Sequence, residues 1–128
     1  MIRDVTDLEV YERSMKLLLP VYKLAKLLPK DEFRLKDQLT GAAKSVPALI
    51  TEGFAKRKSD KEFKRYLYMA LGSSDEVITH IRQIKLLPFK GIKSETCDVL
   101  IEHYKVVSKQ INTMIKVWRS GNSSLSRN

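Results

Sequence analysis

Residues 59–87, SDKEFKRYLYMALGSSDEVITHIRQIKLL, decide the fold. Phe63, Tyr66, Leu67, Ala70, Val77, Ile78 and Ile81 recur at helical spacing and fall on one face. Ser59, followed three residues later by Glu62, reads as a capping-box start. The segment is therefore expected to be a helix that begins after Ser59 and runs to about Leu87. Its single apolar stripe has to be covered by other elements. Gly72, in mid-helix, costs about 1 kcal/mol relative to Ala. It marks either a close packing contact or a tolerated defect.

Three further segments carry the same period on either side. The first runs from Asp7 to Leu28. Leu8, Tyr11, Met15, Leu19 and Tyr22 form one stripe, and Val10, Leu17, Val21, Leu24 and Leu28 form a second, nearly opposite. One bundle core buries one stripe, so Val10, Leu17, Val21, Leu24 and Leu28 are expected at a contact between subunits. Pro20 removes the hydrogen bond to the Lys16 carbonyl, so a kink is expected there rather than a break. The next helix runs from Phe33 to Phe54, with Leu35, Leu39, Ala42, Val46, Leu49, Ile50 and Gly53 inward. Its small residues Gly41, Ala42, Ala43, Ser45 and Ala48 permit close approach, and Pro47 is expected to kink it. The last helix is expected to be capped by Ser94, with Leu100, Tyr104, Val107, Ile111, Met114, Ile115 and Trp118 buried. Val99, Val106 and Val117 form a weaker strip, a second hint of a contact between subunits.

Four amphipathic helices joined by short loops make an all-α, antiparallel up-down-up-down four-helix bundle the expected architecture. One domain covers residues 1–120, and residues 121–128 form a polar tail expected to be disordered.

The chain has 128 residues, with 24 Lys and Arg against 15 Asp and Glu, for a formal charge of +9. That excess speeds encounter with anions without choosing among them. The one cysteine, Cys97, cannot form an internal disulfide, which fits a reducing compartment. No run approaches the ~20 apolar residues of a membrane span. The start carries Arg3, Asp4, Asp7 and Glu9 in place of an apolar leader. A cytoplasmic protein with no membrane partner is expected.

Signals for catalysis are weak. Glu76 and His80 share a helix face, but no Glu-x-x-His occurs; the first helix offers Glu9 and Glu12, and the second only Glu52 near its end. A surface ion pair is the expected role of Glu76 and His80, with no metal and no cofactor. Cys97 lies in a first helical turn, where the dipole could lower its pKa, yet no His stands near it in sequence. It reads as a structural cysteine. Ser73-Ser74-Asp75 has no histidine placed to serve it, and no phosphate-binding loop or dinucleotide fingerprint occurs.

The cations remain. Between Phe54 and Tyr66 stand Lys56, Arg57, Lys58, Lys61, Lys64 and Arg65, interleaved with Phe54, Phe63 and Tyr66. A helix corner of this kind is either a docking point for a polyanion, most simply nucleic acid, or a solvated corner. A second group, Lys105, Lys109, Lys116 and Arg119, lines one face of the last helix, with Asn112 between. Tyr68, on a polar face, can stack on a base or sit in an interface.

Several pieces together resemble a known family. They are Asp7-Leu8-Glu9-Val10-Tyr11, Ser45-Val46-Pro47, Glu52-Gly53-Phe54, Lys58-Ser59 with Glu62-Phe63, Tyr66-Leu67, and Ala70-Leu71-Gly72-Ser73 with Glu76. The pattern is similar to the four-helix-bundle protein family, which includes proteins encoded by intervening sequences within bacterial 23S rRNA genes. That family is in turn similar to the accessory variability proteins of diversity-generating retroelements. The resemblance implies a homopentameric barrel, a positive surface that binds RNA or DNA, and a reverse transcriptase as partner. It implies no catalytic residue. Ala48 and Ser74-Asp75 depart from the family pattern, and Asp75 interrupts any uniform positive belt.

The expected function is that of a non-enzymatic, basic, oligomeric scaffold for nucleic acid. Service to a retroelement reverse transcriptase is its sharpest form. The alternative is a protein–protein interaction module of intervening-sequence type, whose charge keeps it soluble.

Overall fold

A computed structural model describes residues 2–119. Among them every regular element is helical and there is no strand. The helices are α1 (Glu9–Lys16), α2 (Leu18–Lys26), α3 (Phe33–Ala55), α4 (Asp60–Leu86) and α5 (Ser94–Val117). Short 3-10 turns at Val5–Asp7 and Lys30–Glu32 precede α1 and α3. The expected tail, 121–128, lies outside the described residues.

The first expected helix is divided in two. α1 stops at Lys16 and α2 begins at Leu18, with Leu17 in αR conformation between them. Two hydrogen bonds carry across, from Leu17 N to the Arg13 carbonyl (3.1 Å) and from Val21 N to the Leu17 carbonyl (3.1 Å). Pro20 thus sits in the first turn of α2, where its missing N–H costs little. The disturbance falls one turn upstream of the proline, at the carbonyls it cannot serve.

Helix termini follow local chemistry only in part. Ser59 caps α4 by accepting from Glu62 N at 3.2 Å. The reciprocal half of the expected box is not made. Ser59 N donates to the Lys56 carbonyl, and the Glu62 carboxylate holds Arg65. Ser94 is the first residue of α5, not its cap. Lys93 holds the cap position and makes no side-chain capping bond. α3 runs unbroken through the buried Pro47.

α4 is the central element, packed along both α3 and α5, while α1 rests on α3 and α5 and α2 rests on α3. Lys85 meets Asp98 near the α4–α5 loop, and Ser74 meets Ser108 further along. Residue numbers therefore fall along one helix as they rise along the other. The stripes expected on α4 and α5 are buried throughout.

The assignment of Val10, Leu17, Val21, Leu24 and Leu28 to a subunit contact is corrected. All five lie in the chain's own core, at 0–7% exposure. Because α1 and α2 meet α3 and α5 on this side, the stripe is covered within one subunit. The apolar residues of this segment that do face outward are Met15, Leu19 and Leu27.

Gly53 shows what the small residues of α3 do. A Cβ there would lie 2.6 Å from Tyr66 Cβ and 3.0 Å from Phe63 Cδ1, both rigidly placed on α4. Gly72 is the opposite case, exposed and with nothing within 4 Å of a Cβ, so it is a tolerated defect. The two glycines predict opposite signs. Gly72→Ala should stabilise by about 0.5–1 kcal/mol through helix propensity alone. Gly53→Ala should destabilise by about 1–3 kcal/mol through overpacking. Urea melts of the two variants against the parent check both.

Candidate nucleic-acid interface

The expected cations form two structurally distinct groups at related positions. Lys56, Arg57 and Lys58 occupy the turn between α3 and α4, and Lys61, Lys64 and Arg65 follow in the first turns of α4. The aromatic residues interleaved with them act as platforms. The Arg57 guanidinium lies over the Phe54 ring at 4.0 Å and donates to the Phe54 carbonyl at 3.0 Å. Tyr66 carries two cations on its ring, Lys56 at 5.0 Å and Arg65 at 4.7 Å, and Lys56 also donates to its hydroxyl at 3.2 Å. Contacts of this kind contribute about 0.5–1 kcal/mol each at exposed sites and leave outer N–H groups facing water. Among the described residues, Arg65 is the one corner cation with an acidic partner, Glu62 at 3.4 Å.

The second group lines a groove between α4 and α5 of about 830 Å³. Lys105, Lys109 and Lys116 come from α5, and Arg82 and Asp75 come from α4. Thr79, Ser108, Asn112 and Thr113 complete its polar lining. Lys105 pairs with Glu102 at 3.2 Å. Arg82, Lys109 and Lys116 make no ion pair among the described residues. Arg119, just past the end of α5, donates to the Trp118 carbonyl and lies outside the groove lining.

Arg82 is the groove cation that the sequence did not single out. Asp75, Thr79 and Arg82 are spaced by four and three residues and share a helix face. Which α5 face they meet depends on how the two helices are registered.

The groups meet at one end of the molecule. Trp118 sits edge-on to Phe63 at 4.7 Å, which holds the end of α5 beside the start of α4. Lys116 and Arg119 therefore share an end with the α3–α4 corner. Lys105 lies about 16 Å further along α5, at 1.5 Å rise per residue.

Asp75 is anchored across the groove floor. Ser108 Oγ donates to Asp75 Oδ1 at 2.8 Å. Ser74 Oγ lies 2.8 Å from Ser108 Oγ and 3.3 Å from the Tyr104 carbonyl. Ser74 donates to the Tyr104 carbonyl, and either hydroxyl can donate between Ser74 and Ser108. Ser74 and Ser108 are buried, and Asp75 is exposed.

The other candidates are structural. His80 is buried and held between Glu76 Oε2 and Gln83 Oε1, at 3.1 Å from each, so the expected Glu76–His80 contact is made, but as a hydrogen bond to a buried ring and not as a surface pair. No group of ligands suited to a metal occurs among the described residues. His103 is exposed beside Glu9, Glu12, Arg13 and Lys16. Tyr68 is 60% exposed on α4. Cys97 is buried, and burial pushes its thiol pKa up, with the Asp98 charge adding to the rise. The direction is opposite to the one a first-turn dipole would impose. The neutral thiol is favoured, so iodoacetamide at about pH 8 should label Cys97 at least tenfold more slowly in native protein than in urea. Mass spectrometry of timed aliquots checks this.

A separate apolar groove of about 410 Å³ lies between α2 and α5, lined by Pro20, Leu24, Leu27, Val99 and Leu100, with Lys23 and Glu95 at its edge. Leu27 and Val99 are more than half exposed there, at 51% and 56%. No helix among the described residues is long and apolar enough to cross a membrane. Residues 6–113 match a family model described as 23S rRNA-intervening sequence protein. No curated protein matches the chain.

Proposed function

The chain belongs to the 23S rRNA-intervening sequence protein family, and from that premise we propose that it is a non-enzymatic scaffold that binds nucleic acid on a cationic surface. The observation that carries this reading is the α4–α5 groove. Four cations line it, and three of them have no acidic partner among the described residues. Uncompensated cations in a groove concentrate positive potential and release counterions when phosphates replace them. The aromatic-backed corner, Lys56 to Arg65, adds further cations at the end where Lys116 and Arg119 stand.

In this reading the helices run up-down-up-down and several copies assemble, as five in the barrel implied by resemblance. The protein works in the cytoplasm. Its partners are RNA or DNA, other copies of itself and, in the sharpest form, a reverse transcriptase. The apolar α2–α5 groove supports the assembly step, since Leu27 and Val99 are large, exposed and adjacent. The same groove is the observation that favours the second reading, a protein–protein module without direct nucleic-acid contact.

Titration of a structured RNA at several salt concentrations separates the two. Replacing Arg82, Lys105, Lys109 and Lys116 by Ala should weaken binding markedly at about 0.15 M salt. It should also lower the log–log salt slope by up to about 3, at roughly 0.7–0.9 for each phosphate no longer neutralised. Equal affinity and slope for parent and variant would defeat the nucleic-acid reading. Assembly is checked by light scattering. The parent should exceed the mass of one chain at micromolar concentration, and Val99→Asp should return it to a single subunit. A parent that scatters as one chain would rule assembly out.

A further inference from the structure

We propose that the α4–α5 groove takes a single strand and selects guanine within it, with Asp75 as the residue that reads the base. This rests on the nucleic-acid reading above and adds a ligand class to it.

Asp75 is the one carboxylate in the groove lining. For phosphate alone it is a liability, because like charges at about 4 Å repel even through water. Yet Asp75 is not neutralised. Four cations line the same groove and, among the described residues, none lies within ion-pair distance of it. Its Oδ1 is held by a buried serine pair instead, Ser108 backed by Ser74. That anchor spans the α4–α5 interface and fixes the carboxylate's place without cancelling its charge. A negative acceptor and several positive donors are thus both kept available in one polar groove.

Such a pairing suits a ligand that presents N–H donors beside acceptors. Among the bases guanine fits best. N1–H and the N2 amine are donors that a carboxylate accepts, while O6 and N7 are the acceptors that Lys and Arg commonly take. Cytosine and adenine each offer one amine, and uracil offers one imide N–H between two carbonyls. In a duplex the N1–H edge of guanine is consumed by pairing, so the strand must be single or looped. Thr79, Asn112 and Thr113 supply further neutral hydrogen-bonding groups around Asp75.

The test is fluorescence anisotropy with short RNA oligomers: all-uridine, the same host with central guanines, and the same host with inosine in place of guanine. Inosine lacks only the N2 amine. The parent should bind the guanine oligomer about five- to tenfold tighter than all-uridine, with inosine between. Asp75→Asn should bind all-uridine tighter than the parent, since the groove loses a negative charge, and should lose the guanine preference. Ser108→Ala, which keeps the charge and removes its anchor, should lose most of that preference. Circular dichroism confirms that both variants are folded, and each variant reports on the carboxylate by a different route. Equal binding of guanine and uridine oligomers by the parent overturns this inference and leaves the scaffold reading standing. So does a guanine preference that survives in Asp75→Asn. Failure to bind any oligomer also overturns this inference, while the structured-RNA titration decides the scaffold reading separately.

Discussion

Phe63 is the contact on which the arrangement of the cations depends. Its ring meets Phe54 of α3 edge-on at 6.2 Å and Trp118, at the end of α5, at 4.7 Å. Three helices are thereby joined at one point. Edge-to-face pairs of this kind contribute about 0.5–1.5 kcal/mol beyond the area they bury. The geometry matters more than that sum. The pair formed with Trp118 brings the cations after α3 and those at the end of α5 to the same end of the bundle. Gly53 makes the junction possible, because any side chain there would strike Tyr66 and Phe63.

Aromatic residues serve opposite purposes on the two sides of this junction. Inward, Phe63 and Trp118 exclude water. On their other side, Phe54 and Tyr66 support Arg57 and Lys56, which make no ion pair among the described residues. An acidic partner would have ordered those side chains equally well but would have cancelled the field they project. In the α4–α5 groove the same economy is reached differently. Asp75 is bound to serine rather than lysine, so the anion and three of the four groove cations stay outside any ion pair among the described residues.

Much of the fold was legible. The stripes on α4 and α5 match the buried residues, and that on α3 does so except at the partly buried Leu35 and Leu49, because one face of a straight amphipathic helix is named by spacing alone. The first segment was misread because two opposed apolar stripes are equally consistent with a subunit contact and with burial against two neighbours. Periodicity counts apolar faces but does not say what covers them. The cations of α5 were recognisable as a row, whereas Arg82 was not, since it joins that row only through the register of another helix. Asp75 looked like a defect in a positive belt until the Ser74–Ser108 bridge showed what holds it.

The amino-acid sequence alone determined the helical class, the excess positive charge, the cationic corner and the inward faces of the long helices. These follow from local spacing and composition, which act over three or four residues. The tertiary structure decided which apolar stripe of the first segment lies inside. It also decided that α4 and α5 enclose a groove, and that the two basic groups share an end. Those outcomes rest on contacts between residues some 30 or more positions apart, such as Ser74 with Ser108 and Phe63 with Trp118. No local rule fixes the sliding and rotation of one helix against another; close packing of particular side chains does.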